Sequence, residues 1–122
     1  MEKRALNGRG LVRLVNATRC SLQGVSYIWR NEEAFRLECA LLVPGIVLAF
    51  VLGANGPERA LLAGSLFLVL LVEILNTAVE CAIDRIGPEQ HPLSGAAKDL
   101  GSTAVFLAIG MAVLTWVLVL WK

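Results

Sequence analysis

The sequence predicts an all-α membrane protein: an N-terminal amphipathic surface helix followed by three transmembrane helices. Three observations predict it. The 122 residues are 57% hydrophobic, with a mean hydropathy of +0.68, too apolar for an ordinary soluble domain. The apolar residues gather into three stretches, Leu37–Leu52, Ala60–Ile83 and Gly101–Trp121, each near the roughly 20 residues that a bilayer-spanning helix needs. The basic residues are lopsided. Seven of the eleven, Lys3, Arg4, Arg9, Arg13, Arg19, Arg30 and Arg36, precede the first stretch, and the positive-inside rule then places the N-terminus and the second connecting loop in the cytoplasm. The length suits one domain covering residues 1–122. No continuous apolar core with a small-residue cleavage site lies between Met1 and Arg30, so a signal peptide is not expected.

The elements follow in order. Leu11, Leu14, Val15, Thr18, Leu22, Val25 and Trp29 recur at helical spacing, with Arg9, Arg13, Asn16, Arg19 and Gln23 on much of the rest. This pattern reads as a helix over about residues 5–30 lying on the membrane surface. Gly8, Gly10 and Gly24 weaken it and could break it. Such a helix serves either as a plain anchor or as a grip on a lipid or phosphate.

The first span covers about residues 34–52, with Asn31 as a possible cap, Glu32 and Glu33 suited to the helix dipole, and a kink expected at Pro44-Gly45. Asn55-Gly56-Pro57 makes a tight turn. The second span covers about residues 60–84 and stops at Gly87-Pro88. A polar loop to Lys98 follows, and the third span covers about residues 100–121. Gly101, Ser102, Thr103, Ala104, Ala108 and Gly110 give that helix a small-residue face for close packing. Cys20, Cys39 and Cys81 are odd in number and lack metal-ligand spacing, so they read as small packing residues.

The second span carries the chemistry. Glu73, Asn76, Thr77, Glu80 and Asp84 fall within about 100° of one another at 100° per residue. They make one polar stripe on an apolar rod, and an ionisable residue inside a membrane is costly enough to suggest function. Glu80 lies about 10 Å along the axis from Glu73, and Asp84 about 6 Å further. The stripe therefore descends from the interface into lipid. Desolvation disfavours an ionised carboxylate, which suits Glu73 to general-base work. Glu80, with Glu32 at the same mouth, offers the hard oxygen ligands that magnesium takes alongside substrate phosphates. Lys98, next to Asp99 where the third span opens, could neutralise phosphate oxygens. The competing readings are a small proton-coupled transporter with Glu73 as its carrier site, and a structural membrane subunit whose acids tolerate replacement by amides. There is no Walker A sequence and no protein-kinase catalytic loop. A single histidine, His91, excludes most histidine-based triads and zinc sites. Three helices bury a polar stripe poorly, so an oligomer with shared sites is expected.

The run E-I-L-N-T-A-V-E-C-A-I-D at Glu73–Asp84 resembles the signature of the prokaryotic integral-membrane diacylglycerol kinases. The similarity continues through Asp84-Arg85-Ile86-Gly87, Leu93-Ser94-Gly95 and Ala97-Lys98-Asp99-Leu100-Gly101-Ser102. Upstream, Asn31-Glu32-x-Ala34-Phe35-Arg36-x-Glu38 fits as well.

The resemblance implies a homotrimer with composite active sites in the bacterial inner membrane. It implies transfer of the γ-phosphate of ATP, with Mg²⁺, to diacylglycerol, recycling that lipid into phospholipid synthesis; no nucleic-acid partner is implied. It makes Glu73 the catalytic base and Glu32 and Glu80 the metal ligands. Arg13, Cys20, Glu32, Asn76, Glu80, Asp84, Glu89, His91, Lys98 and Asp99 fall at nucleotide positions. Arg13, Trp29, Ala34, Phe35, Glu38, Glu73 and Ser102 fall along the lipid path. Cys20 stands where an aromatic residue is often found near adenine. Gram-positive relatives that phosphorylate undecaprenol share the core motif, and the fit across the loops and first span favours diacylglycerol.

Overall fold

The computed structural model describes residues 9–122, and among these every regular element is helical: α1 (Leu11–Asn31), α2 (Glu33–Leu52), α3 (Gly56–Ile86) and α4 (Pro92–Leu120). The expected start of the surface helix at residues 5–8, and Gly8 with it, lie outside the described residues. The chain divides between Glu33 and Ala34 into two compact units.

The first unit contains α1. Gly10 enters it with φ +63°, a backbone state that glycine reaches without a Cβ penalty. The helix then runs unbroken through Gly24. Its apolar residues follow the amphipathic spacing, and Leu14, Val15, Thr18 and Leu22 line one shallow groove with Arg19. Asn31 ends this helix instead of capping the next. Its side-chain amide donates to the Tyr27 carbonyl one turn back at 2.8 Å.

The second unit holds the three long helices. All three are long and apolar enough to cross a membrane. Large side chains such as Val43, Leu71 and Phe106 are exposed, as suits a surface solvated by lipid, which is as apolar as leucine itself. α2 passes through Pro44 without interruption. Asn55 starts α3, its Oδ1 accepting the Glu58 N–H at 2.9 Å, while the Glu58 carboxylate accepts from the Ala54 N–H at 2.7 Å.

α3 has 31 residues, about 46 Å at 1.5 Å per residue. This exceeds the ~30 Å hydrocarbon thickness, so part of α3 must project beyond it. Gly87, at φ +146°, ends the helix. α4 begins at Pro92 rather than near residue 100. His91 caps it by accepting the Leu93 N–H on Nδ1 at 3.1 Å, and a proline at the first helical position is preorganised for a start. Hydropathy registers only the apolar part of this helix and misses its polar first two turns.

α3 and α4 pack antiparallel along their lengths. Gly101, Ala108 and Ala112 recur at helical spacing on the packed side of α4, with Gly101 half-buried and Ala108 and Ala112 buried. Ser102, Thr103, Ala104 and Gly110, from the predicted small-residue face, are exposed. At the end nearer the α2–α3 turn, the Trp116 indole N–H reaches both the Leu62 carbonyl and Ser65 Oγ at 3.2 Å. Lys122 pairs with Glu58 at the same end. α2 meets α3 where Gly45 admits Leu66; a Cβ on Gly45 would lie 2.8 Å from Leu66 Cδ1. Replacing Trp116 with phenylalanine is expected to lower stability by about 1 kcal/mol, the scale of an interhelical hydrogen bond in a membrane protein. Reversible denaturation in mixed micelles measures it.

Candidate active site

The polar stripe predicted on α3 forms as one face. Glu73, Asn76, Thr77 and Glu80 are half-buried, and Asp84 is exposed at the helix end. A helix brings residues three and four apart onto one side, and the stripe uses that spacing to make its own bond. Asn76 Nδ2 donates to Glu80 Oε1 at 3.3 Å. The Asn76 Oδ1 is buried and accepts no hydrogen bond.

At its exposed end the stripe opens into a pocket of about 670 Å³. The turn from α3 to α4 shapes it. Asp84, Glu89, His91 and Lys98 line it together, so four residues that the resemblance placed at the nucleotide converge here. Lys98 Nζ lies 3.0 Å from Asp84 Oδ1. Since His91 Nδ1 is committed to capping α4, its Nε2 is left as the ring's hydrogen-bond donor. The pocket thus offers an ammonium, a ring N–H and two carboxylates. Asp99, beside Lys98 on α4, is exposed, and its carbonyl accepts the Thr103 hydroxyl at 2.8 Å.

At the inner end α2 supplies a partner that reading the stripe alone did not identify. The Glu38 side chain lies within hydrogen-bonding reach of Glu73, and Glu38 Oε2 is buried with no donor. From Glu38 an apolar groove of about 240 Å³ continues along Leu41, Leu42, Leu66, Leu70 and Val113. The signal in the sequence was Glu38 itself, the one acid within the first apolar stretch.

The remaining predicted residues are placed as follows. Arg13, Cys20 and Trp29 lie on α1, and Glu32 follows it as its C-cap; Cys20 and Glu32 are half-buried, Arg13 and Trp29 exposed. These four belong to the first unit. Ala34 and Phe35 stand in the first turn of α2, Ala34 exposed and Phe35 buried, and Ser102 is exposed on α4. Among the described residues no three His, Cys, Asp or Glu side chains gather as a metal cage. Two carboxylates, Asp84 and Glu89, stand in the pocket lining, and such oxygens suit a hard cation that takes its other ligands from phosphates and water.

Comparison with known proteins bears on this arrangement. The family model for prokaryotic diacylglycerol kinase matches residues 19–120. The chain is 46% identical over 118 residues to the diacylglycerol kinase of Escherichia coli strain K12, covering 97% of each chain. It is 48% identical over 107 residues to that of Haemophilus influenzae, covering 88% of this chain and 91% of the relative. With that of Pseudomonas aeruginosa it shares 45% over 111 residues, covering 91% and 90%. The acid stripe, its paired helices and the pocket at their turn therefore sit in a chain that belongs to the prokaryotic diacylglycerol kinase family.

Proposed function

We propose that this chain transfers the γ-phosphate of ATP to the free hydroxyl of diacylglycerol, yielding phosphatidic acid and ADP. One observation carries the reading. A single helix face runs from an open polar pocket at the α3–α4 turn to a facing pair of acids, Glu38 and Glu73, at the head of an apolar groove. Such a face serves one substrate from water and another from lipid.

Glu73 is the general base. It takes the hydroxyl proton as the alcohol oxygen attacks the γ-phosphorus, and the bond to the β–γ bridging oxygen breaks. Glu38, facing it, holds the same hydroxyl in line, with Ala34, Phe35, Ser102, Trp29 and Arg13 along the lipid path. Asp84, Glu89, His91, Lys98 and Asp99 hold the nucleotide, joined by Asn76 and, from α1, by Arg13 and Cys20. Glu80 and Glu32 are the carboxylates that would hold magnesium, which when bound would neutralise charge on the phosphate oxygens. Phosphoryl transfer depends on positioning and charge stabilisation rather than covalent catalysis, and these roles supply both.

The active assembly is a homotrimer in the bacterial inner membrane, with the N-terminus cytoplasmic. Two features support this. Glu73, Asn76, Thr77 and Glu80 remain only half-buried within one chain, and basic residues concentrate before α2, as the positive-inside rule requires.

Purified protein in mixed micelles, given labelled ATP, Mg²⁺ and either diacylglycerol or undecaprenol, tests the proposal. Label is expected in diacylglycerol alone, and only with Mg²⁺. Preferential labelling of undecaprenol would reassign the lipid, and lipid-independent hydrolysis would reject the kinase reading.

A further inference from the structure

Glycine within a helix costs about 0.5–1 kcal/mol relative to alanine, so a helical glycine at a packed face invites a reason. Gly101 lies in the interior of α4 and is half-buried. A Cβ built there would stand 2.2 Å from Asn76 Oδ1 and 3.3 Å from Asn76 Cγ, and the three nearest atoms all belong to Asn76. The helical Gly64, Gly95 and Gly110 would meet nothing within 4 Å. Gly101 thus makes room for one side chain on the facing helix.

That side chain is poised. Asn76 turns its Nδ2 towards Glu80 Oε1 at 3.3 Å and its Oδ1 towards Gly101, buried and without an N–H or O–H donor. The bare Cα of Gly101 lets that oxygen sit where a Cβ would otherwise be, a close approach of the kind that recurs between packed helices. Reversing the amide would aim its oxygen at the Glu80 carboxylate, so the acid and the bare Cα together set one orientation.

We infer that Gly101 is a positioning residue for the metal–nucleotide site, acting through Asn76 to orient the Glu80 carboxylate. This rests on the proposed role of Glu80. A methyl at residue 101 displaces the Asn76 amide, and Glu80 loses its orienting donor while Glu73 and Glu38, further along α3 and α2, keep their contact. Groups that orient a ligand from behind typically change metal affinity about 10- to 100-fold.

The test uses the full chain in mixed micelles, with Mn²⁺ as the probe. Its binding in the presence of a non-hydrolysable ATP analogue is read by electron paramagnetic resonance, alongside the KM values for ATP and diacylglycerol. Gly101→Ala is expected to weaken Mn²⁺ binding about tenfold and to raise the ATP KM, with the diacylglycerol KM within about twofold. Unchanged Mn²⁺ binding in folded Gly101→Ala, or an equal rise in the lipid KM, overturns the inference.

If Gly101→Ala does not fold, the double variant Gly101→Ala/Asn76→Ala is expected to recover the fold, since the methyl then fills the space that Oδ1 left. Failure of the double variant to fold also overturns it. Glu80→Gln separates the two levels. Wild-type Mn²⁺ affinity in Glu80→Gln would reject the metal role of Glu80. Weakened binding in Glu80→Gln with unchanged binding in Gly101→Ala would reject the positioning role alone.

Discussion

Glu73→Gln is expected to abolish lipid phosphorylation while the protein stays folded and binds ATP. A positioned general base contributes about 10²- to 10⁴-fold, and glutamine cannot accept the hydroxyl proton. The fold should not suffer. Glu73 is half-buried on α3 and faces Glu38 on α2, whose Oε2 lacks a donor. A glutamine amide keeps the shape of the acid and can donate to that carboxyl, which relieves an unmatched acceptor rather than creating one. Thermal stability and nucleotide binding should therefore match or exceed the wild type while turnover disappears. Phosphorylation near the wild-type rate would remove Glu73 as the base and return the proton-carrier reading to contention.

Lys98→Met is expected to separate catalysis from stability more sharply still. Lys98 pairs with Asp84 at 3.0 Å, and their side chains are 47% and 70% exposed. An ion pair that open to solvent is worth ~0–1 kcal/mol, so methionine, which keeps much of the aliphatic stem, should cost little stability. Charge stabilisation of a transferring phosphate is worth far more. Loss of one such group typically costs about 10²- to 10³-fold in turnover. Steady-state kinetics with ATP varied, set beside the thermal midpoint of the same preparation, measures both. An activity loss no larger than the stability loss would place Lys98 outside the phosphate site and leave it a surface partner of Asp84.

Much of the fold was legible in the sequence because the relevant signals are local. Three stretches of sufficient length and hydropathy became α2, α3 and α4. The spacing of Glu73, Asn76, Thr77, Glu80 and Asp84 placed them on one face of a helix, since 3.6 residues per turn leaves little freedom. The Gly87 stop held for the same reason. The start of α4 was legible too, but in a different signal from hydropathy: His91 and Pro92 mark it by capping and preset φ, and those act through two residues rather than through a window of twenty.

What the sequence could not carry is which faces meet. Glu38 was placed on the lipid path by the resemblance alone, and it became the partner of Glu73 only where α2 meets α3. Gly101 looked like one small residue among several, and only the register of α4 on α3 set it against Asn76 while leaving Gly110 in the open. Asn31, read as a cap for α2, bonds back into α1 because the Tyr27 carbonyl lies one helical turn behind it, within reach of its side-chain amide. Periodicity, capping and hydropathy are properties of a segment, so residue order alone determined the spans, their polar stripe and the acid types it carries. The pairing of Glu38 with Glu73, the pocket at the α3–α4 turn and the seat of Asn76 belong to contacts between segments far apart in sequence. Those were decided by side-chain shape in a close-packed interface.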